Sequence, residues 1–146
     1  MRNQDSQPQM GPIGPRYERA QDYLYNMEAL TSSEAIRLWR KSIKESWCNC
    51  CAYCGNPPID DNSLTLDHVK PRSRGGEDLT SNIVPADYRC NASKGSTEDW
   101  KDWYREQDFY EEWREYRIQY WLDHGIVLEP SRAQKITAAR NLTSMS

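Results

Sequence analysis

The sequence has no long apolar run. None of its hydrophobic stretches approaches the ~18 residues that a membrane-spanning helix needs, so a membrane role is not expected. The opening MRNQDSQPQMGPIGPR has no apolar h-region, which argues against a secretory signal. It is polar and rich in Pro and Gln, and residues 1–19 read as a disordered tail. Apolar content is low, at 37% of 146 residues with mean hydropathy −0.98, and 28% of the chain is charged. Such a chain builds one small core, and a metal staple or helix packing is expected to help it. No internal repeat is present. No basic excess is present either: the formal net charge is −3, which weighs against nucleic acid as a partner. Histidine is scarce, with His68 and His124 alone. An evenly spaced, even set of cysteines is also missing, so a secreted disulfide framework is not expected. That places the protein in a reducing, cytoplasmic setting with thiolates free for metal.

The charge average hides an asymmetry. Residues 98–124 carry nine acids against four bases, whereas Arg37, Arg40, Lys41 and Lys44 crowd one short stretch with only Glu34 and Glu45 nearby. KPRSR at 70–74 adds three more bases without an acid. Local fields decide phosphate binding, so the acidic total is no veto.

Four of the five cysteines fall in WCNCCAYCG, residues 47–55. Two C-x-x-C pairs overlap there, Cys48/Cys51 and Cys51/Cys54, and either is half of a tetrahedral zinc site. Buried apolar thiols are the plainer reading of the same residues.

The pattern along the chain predicts an α+β protein. TSSEAIRLWRKSIKES, 31–46, reads as a helix opened by a Thr31/Glu34 capping box, with Ile36, Trp39 and Ile43 on one face. SLTLDHV alternates like a short strand, and NIVP reads as a second. DYRCNASKG predicts a short helix stopped by Gly95. Residues 97–124 read as helical, with Asp108 and Glu111 as cap and box partner, an aromatic stripe of Phe109, Trp113, Tyr116 and Tyr120, and Gly125 just past the end. The stripe is more simply core than a nucleobase platform. Residues 126–146 read as a polar tail.

Three features stand together: Cys51 and Cys54 followed by glycine, Asp67 and His68 at a strand end, and Asn82 and Asn91 further on, the latter directly behind Cys90. Phosphodiester hydrolysis needs a base for water and a cation for the phosphate. His68 has a side chain whose pKa suits the first task. Asp67 and Asn91 are hard oxygen donors suited to Mg²⁺ or Mn²⁺. Lys94, three residues after Asn91, shares its helix face and can meet a phosphate. Arg72 and Arg74 follow the strand and are candidates for phosphate contact. His124, at a helix C-terminus, reads as structural.

The stretch CAYCG…LTLDHVKPRSRGGEDLTSNIVPADYRCNASKG, residues 51–95, resembles the HNH endonuclease family. The resemblance implies a ββα-metal finger over 48–96, flanked by an N-terminal helical segment, 20–47, and an aromatic helical segment, 97–125. It implies metal-dependent hydrolysis of DNA, with His68 as general base, Asp67 and Asn91 holding one divalent ion, and Asn82 fixing the loop and orienting His68. Zinc-bearing members close a structural site with a second C-x-x-C. Here Asp87 stands in the first cysteine's place before Cys90: it either joins Cys51, Cys54 and Cys90 as an oxygen ligand or caps the short helix that follows, with Cys48 or Cys50 completing the site, and loss of the zinc is the third alternative. The partner implied is DNA, double-stranded, bound by a monomer or homodimer of phage or bacterial type. A zinc-stabilised binding module without cleavage, or an accessory to phage packaging proteins, is the other class of role.

Overall fold

A computed structural model describes residues 16–144 apart from 61 and 98. The disorder expected for 1–19 therefore falls mostly outside the described residues, as do 145 and 146.

Helix α1, Asp22–Tyr25, is a single turn. Helix α2, Ser32–Ser46, starts where the Thr31 hydroxyl accepts the Glu34 N–H at 3.1 Å. The return half of the expected box closes one residue early, on the Leu30 N–H. Trp39 and Ile43 turn inward as expected, but Ile36 is 48% exposed and belongs to the outer face. Strand β1, Leu64–His68, pairs antiparallel with β2, Ile83–Asp87, in a register that sets Leu66 against Pro85 and His68 against Ile83. Pro85 has no N–H to give, and its place in that register lies where none is required. Helix α3, Tyr88–Lys94, follows β2 without a loop, capped by the Asp87 carboxylate on the Arg89 N–H and ended at Gly95.

Side chains alternate along β1, so Thr65 and Asp67 face one way and Leu66 and His68 the other. The first pair meets α3. Leu66 packs with Ile83 and with Trp39 and Ile43 of α2. The hairpin is thus held between α3 and α2, and the Trp39 indole donates to the Thr80 hydroxyl at 2.8 Å, tying α2 to the short 3-10 turn Thr80–Asn82. Tyr17 and Glu18 bind the same turn: Tyr17 O accepts the Thr80 hydroxyl, Glu18 O accepts the Thr80 N–H, and the Glu18 carboxylate accepts from the Ser81 N–H and hydroxyl.

The aromatic segment is helical in two pieces. It forms α4, Trp100–Arg105, and α5, Glu112–His124. The break has a cause: Phe109 and Tyr110 leave the helical path and pack their rings on Tyr104. Asp99 caps α4 with hydrogen bonds from the Lys101 and Asp102 amides, while the expected Asp108 cap does not form and Glu111 caps α5 without a side-chain bond. The buried residues of α5 are Ile118 and Trp121. The Trp121 indole donates to Ile83 O at 2.9 Å, and the Ala52 amide donates to Pro85 O at 2.9 Å. Tyr116, Tyr120 and His124 instead line up as a row of touching rings at the surface. The segment read as a polar tail also folds: α6, Pro130–Ser144, lies on α5 with Ala133 and Thr137 buried. Among the described residues no helix is long and apolar enough to cross a membrane.

Candidate active site and cysteine cluster

Asp67 is buried, and its neighbours explain how a carboxylate tolerates that. The Tyr53 hydroxyl donates to Oδ2 at 2.6 Å, and the Lys94 ammonium lies 3.2 Å from the same oxygen and 3.4 Å from Oδ1. Lys94 is itself fully covered and also donates to His68 O at 3.1 Å. Burial raises the Asp67 carboxyl above its usual range, against the pull of Lys94 and of the Tyr53 hydrogen bond. Burial, with Asp67 beside it, likewise lifts the Tyr53 phenol well above its ordinary value. Tyr53 lies within the C-x-x-C turn, so the cysteine loop is fastened directly to the Asp67 carboxylate.

Asn91 reaches the same face of β1. Its amide nitrogen donates to the Thr65 hydroxyl at 3.0 Å and to Leu66 O at 3.3 Å. These two bonds fix the amide plane and turn its oxygen away from them. Asp67 and Asn91 both sit on the α3 side of the hairpin, without a direct hydrogen bond between them.

His68 takes the opposite side. Its Nε2 lies 2.7 Å from Asp78 Oδ1, and Arg72 donates to the other oxygen of Asp78 at 2.9 Å. The hydrogen bond with His68, and then Arg72, hold the Asp78 carboxyl below its ordinary value. An ionised Asp78 can only accept a hydrogen bond, from Nε2–H, and in the neutral ring that tautomer leaves Nδ1 with its lone pair. Asp78 was not among the residues singled out in the sequence. Its only signal there is its place beside the Gly-Gly turn, ten residues after His68.

Asn82 closes the loop between them. Its side-chain oxygen accepts the Lys70 N–H at 3.0 Å, and its nitrogen donates to Lys70 O and Glu77 O. Its backbone oxygen accepts the Val69 N–H. The turn inside this loop needs Gly76, because a Cβ there would fall 1.7 Å from Lys70 O. Arg72 spends its guanidinium on Asp78, and Arg74 donates to Ser96 O at 3.2 Å.

Cys51, Cys54 and Cys90 come together with all three sulfurs within 4.8 Å of one another. Three close thiols cannot all ionise without a cation. Hydrogen bonds from Cys51 and Cys90 hold the Cys54 thiol down to about 2, while the bond with Cys54 pushes Cys51 upward and the bonds with Cys51 and then Cys54 push Cys90 upward. Arg114 of α5 adds its charge near Cys54. Its guanidinium comes within 2.6 Å of where a Cβ on Gly55 would stand, so a side chain there would displace the Arg114 head group, and the φ of +80° also favours glycine. Asp87 is outside the sulfur cluster: its carboxylate caps α3 and pairs with Arg89 at 3.1 Å. It does share a pocket of about 290 Å³ with Cys54, Cys90 and Arg89. Cys48 and Cys50 are also outside, Cys50 donating to Cys48 O.

The cysteine set fits a zinc ion in donor type and closeness. Asp67 and Asn91 fit a harder divalent ion in donor type, with Lys94 as the competing cation at Asp67.

Residues 51–97 match the family model described as HNH endonuclease. The match covers β1, β2, α3 and all three clustered cysteines. The two-stranded antiparallel sheet followed by α3 is the ββα arrangement that the resemblance implied. No curated protein matches the chain.

Proposed function

We propose that this protein, whose residues 51–97 match the HNH endonuclease family model, hydrolyses phosphodiester bonds of double-stranded DNA. The observation that carries the proposal is the His68–Asp78 pair at the end of β1, next in sequence to the buried Asp67 and backed by the Asn82 loop.

In this reading His68 is the general base. Asp78 holds Nε2–H, so Nδ1 takes the proton from an attacking water. Asn82 keeps Lys70 and Glu77 in place and so sets the strand end that carries His68. Asp67 and Asn91 would hold one Mg²⁺ or Mn²⁺, which when bound supplies charge stabilisation for the phosphate and leaving oxygen. The donation of Asn91 nitrogen to Thr65 and Leu66 is what frees its oxygen for that role. Lys94 keeps the Asp67 carboxylate ionised and ordered, and Arg72 and Arg74 supply positive charge for the backbone of the substrate. Cys51, Cys54 and Cys90 would hold a structural zinc, with Asp87 as fourth ligand once its carboxylate turns from Arg89 into the shared pocket. The setting is cytoplasmic, in a bacterial host where the source is a phage.

The test is conversion of supercoiled plasmid to nicked or linear form by the purified chain with added Mg²⁺ or Mn²⁺. Cleavage that needs the ion and is lost in His68→Ala supports the reading. Cleavage retained in His68→Ala overturns His68 as the base.

One observation favours a second reading. Lys94 already neutralises Asp67, as befits a zinc-stabilised nucleic-acid-binding module, or an accessory to packaging proteins, that does not cut. That reading expects salt-sensitive DNA binding and intact plasmid with every divalent ion tried.

A further inference from the structure

The active-site reading leaves one strongly charged surface unused. On α2, Ser33, Arg37, Arg40, Lys41 and Lys44 recur at helical spacing on the face turned away from the hairpin, and with Ile36, Asn49 and one carboxylate, Glu45, they line a groove of about 590 Å³. Two of its cations are paired within the helix, Arg37 with Glu34 at 3.7 Å and Lys41 with Glu45 at 3.1 Å. Arg40 and Lys44 have no carboxylate within 4.0 Å among the described residues. They stand four residues apart, the spacing at which like charges repel across one helical turn. Burial, and then Arg40, disfavour the charge on Lys44. A fold with 22 acids against 19 Lys and Arg has the means to pair these two, and it does not.

We propose that this face of α2 docks the phosphate backbone of duplex DNA, as a surface separate from the one that holds the scissile phosphate. The chemistry of the groove selects that partner. Arg, Lys, Ser and Asn are the donors that phosphate oxygens take. The only apolar side chain in it is Ile36, whereas a protein partner is anchored through several aromatic or aliphatic residues. The surface is also rigidly indexed to the hairpin. Trp39, next to Arg40 on the inner face of α2, is bonded to Thr80, two residues before Asn82, and Ile43 belongs to the core cluster against which Leu66 packs, two residues before His68 and on its face of β1. A duplex gripped at Arg40 and Lys44 is therefore held at a fixed offset from His68. The inference rests on the nuclease reading for its choice of DNA, but it concerns binding and is measured without cleavage.

The experiment is fluorescence anisotropy of a labelled random-sequence duplex with the zinc-loaded full chain, without Mg²⁺ or Mn²⁺, over a range of salt. Each phosphate contact adds about 0.9 to the slope of log K against log salt. Arg40→Gln/Lys44→Gln is expected to lower that slope by about 2 and to weaken binding at ~0.1 M salt by tenfold or more. Arg132→Gln/Lys135→Gln, which removes two cations from a separate basic pocket on α6, is expected to change the slope by less than about 1. Should the first variant lose its circular-dichroism spectrum, Arg37→Gln/Lys41→Gln makes the same measurement in the same groove. An unchanged slope, an equal fall in both variants, absence of duplex binding by the unaltered chain, or binding to phosphatidylserine vesicles in place of duplex would each overturn the proposal. Plasmid cleavage with an unchanged slope sinks the α2 surface alone. A lowered slope without cleavage under any ion sinks the nuclease reading alone.

Discussion

The ammonium of Lys94 and the carboxylate of Asp67 meet at 3.2 Å with both side chains shut off from solvent. A pair of this kind is weak evidence for stability, but breaking it from one side is expensive because a buried charge is left alone. Lys94→Met is therefore expected to cost about 3–5 kcal/mol in urea unfolding of the zinc-loaded protein. The double variant Lys94→Met/Asp67→Leu should recover much of that loss, since neither charge then remains. A cost below about 1 kcal/mol for the single variant would mean that Asp67 finds another partner or takes up a proton.

His68 and Asp78 give a graded expectation. His68→Ala should lower plasmid cleavage by ~10²- to 10⁴-fold, the range of a general base. Asp78→Asn keeps the shape and removes the charge that accepts Nε2–H. A hydrogen bond to a charged group is worth ~1.5 kcal/mol or more, so a fall of about tenfold or more is expected, with KM little changed. A rate in Asp78→Asn equal to that of the unaltered chain shows that the backbone alone orients the imidazole.

The zinc set is read out by elemental analysis and thermal melting. Cys51→Ser, Cys54→Ser and Cys90→Ser should each strip most of the metal and lower the melting temperature, because a structural zinc contributes its binding energy to folding. Cys48→Ser and Cys50→Ser should retain the metal. Asp87→Ala is the informative case: metal loss supports it as fourth ligand, while full metal with a small drop in stability, ~1 kcal/mol for a lost helix cap, leaves it a cap only.

The core around α5 supplies a prediction independent of any metal. Trp121 is fully buried, stacks edge-on with Trp47 at 5.8 Å between ring centroids, and spends its N–H on Ile83 O. Trp121→Ala should destabilise the fold by about 3–5 kcal/mol. Tyr120→Ala, one residue away in the surface row of rings, should cost far less. Equal costs would mean that α5 does not depend on this face.

The order of elements from α2 to α3 was legible because each carries a local signal: the Thr31 cap, the alternation of LTLDH, the Gly95 stop. Past residue 97 the local signals misled. Asp108 has the sign of a cap, but Phe109 and Tyr110 leave the helical path after it, and nothing local says that Tyr104 will draw both rings. Helix α6 was invisible for a different reason. Its buried residues are Ala133 and Thr137, too small and too polar to mark an apolar face. At the candidate site, Asp67, His68 and Asn82 could be found from spacing and from the family resemblance. Their partners could not. Tyr53 and Asp78 lie fourteen and ten residues from the groups they contact, and a sequence carries no direct mark of such pairings.

The hydrogen bonds around β1 and β2 have a further consequence. A two-stranded ribbon has two open edges, and each is a template on which another chain can add a strand. Here four outward carbonyls are occupied: Ile83 O by Trp121, Pro85 O by Ala52, Leu66 O by Asn91 and His68 O by Lys94, while Pro85 withholds an N–H that an incoming strand would need. Asn91 and Lys94 thus guard an edge as well as facing Asp67. Variants that empty these two positions expose paired backbone acceptors on β1, and self-association through that edge is the way in which they are expected to misbehave at high concentration.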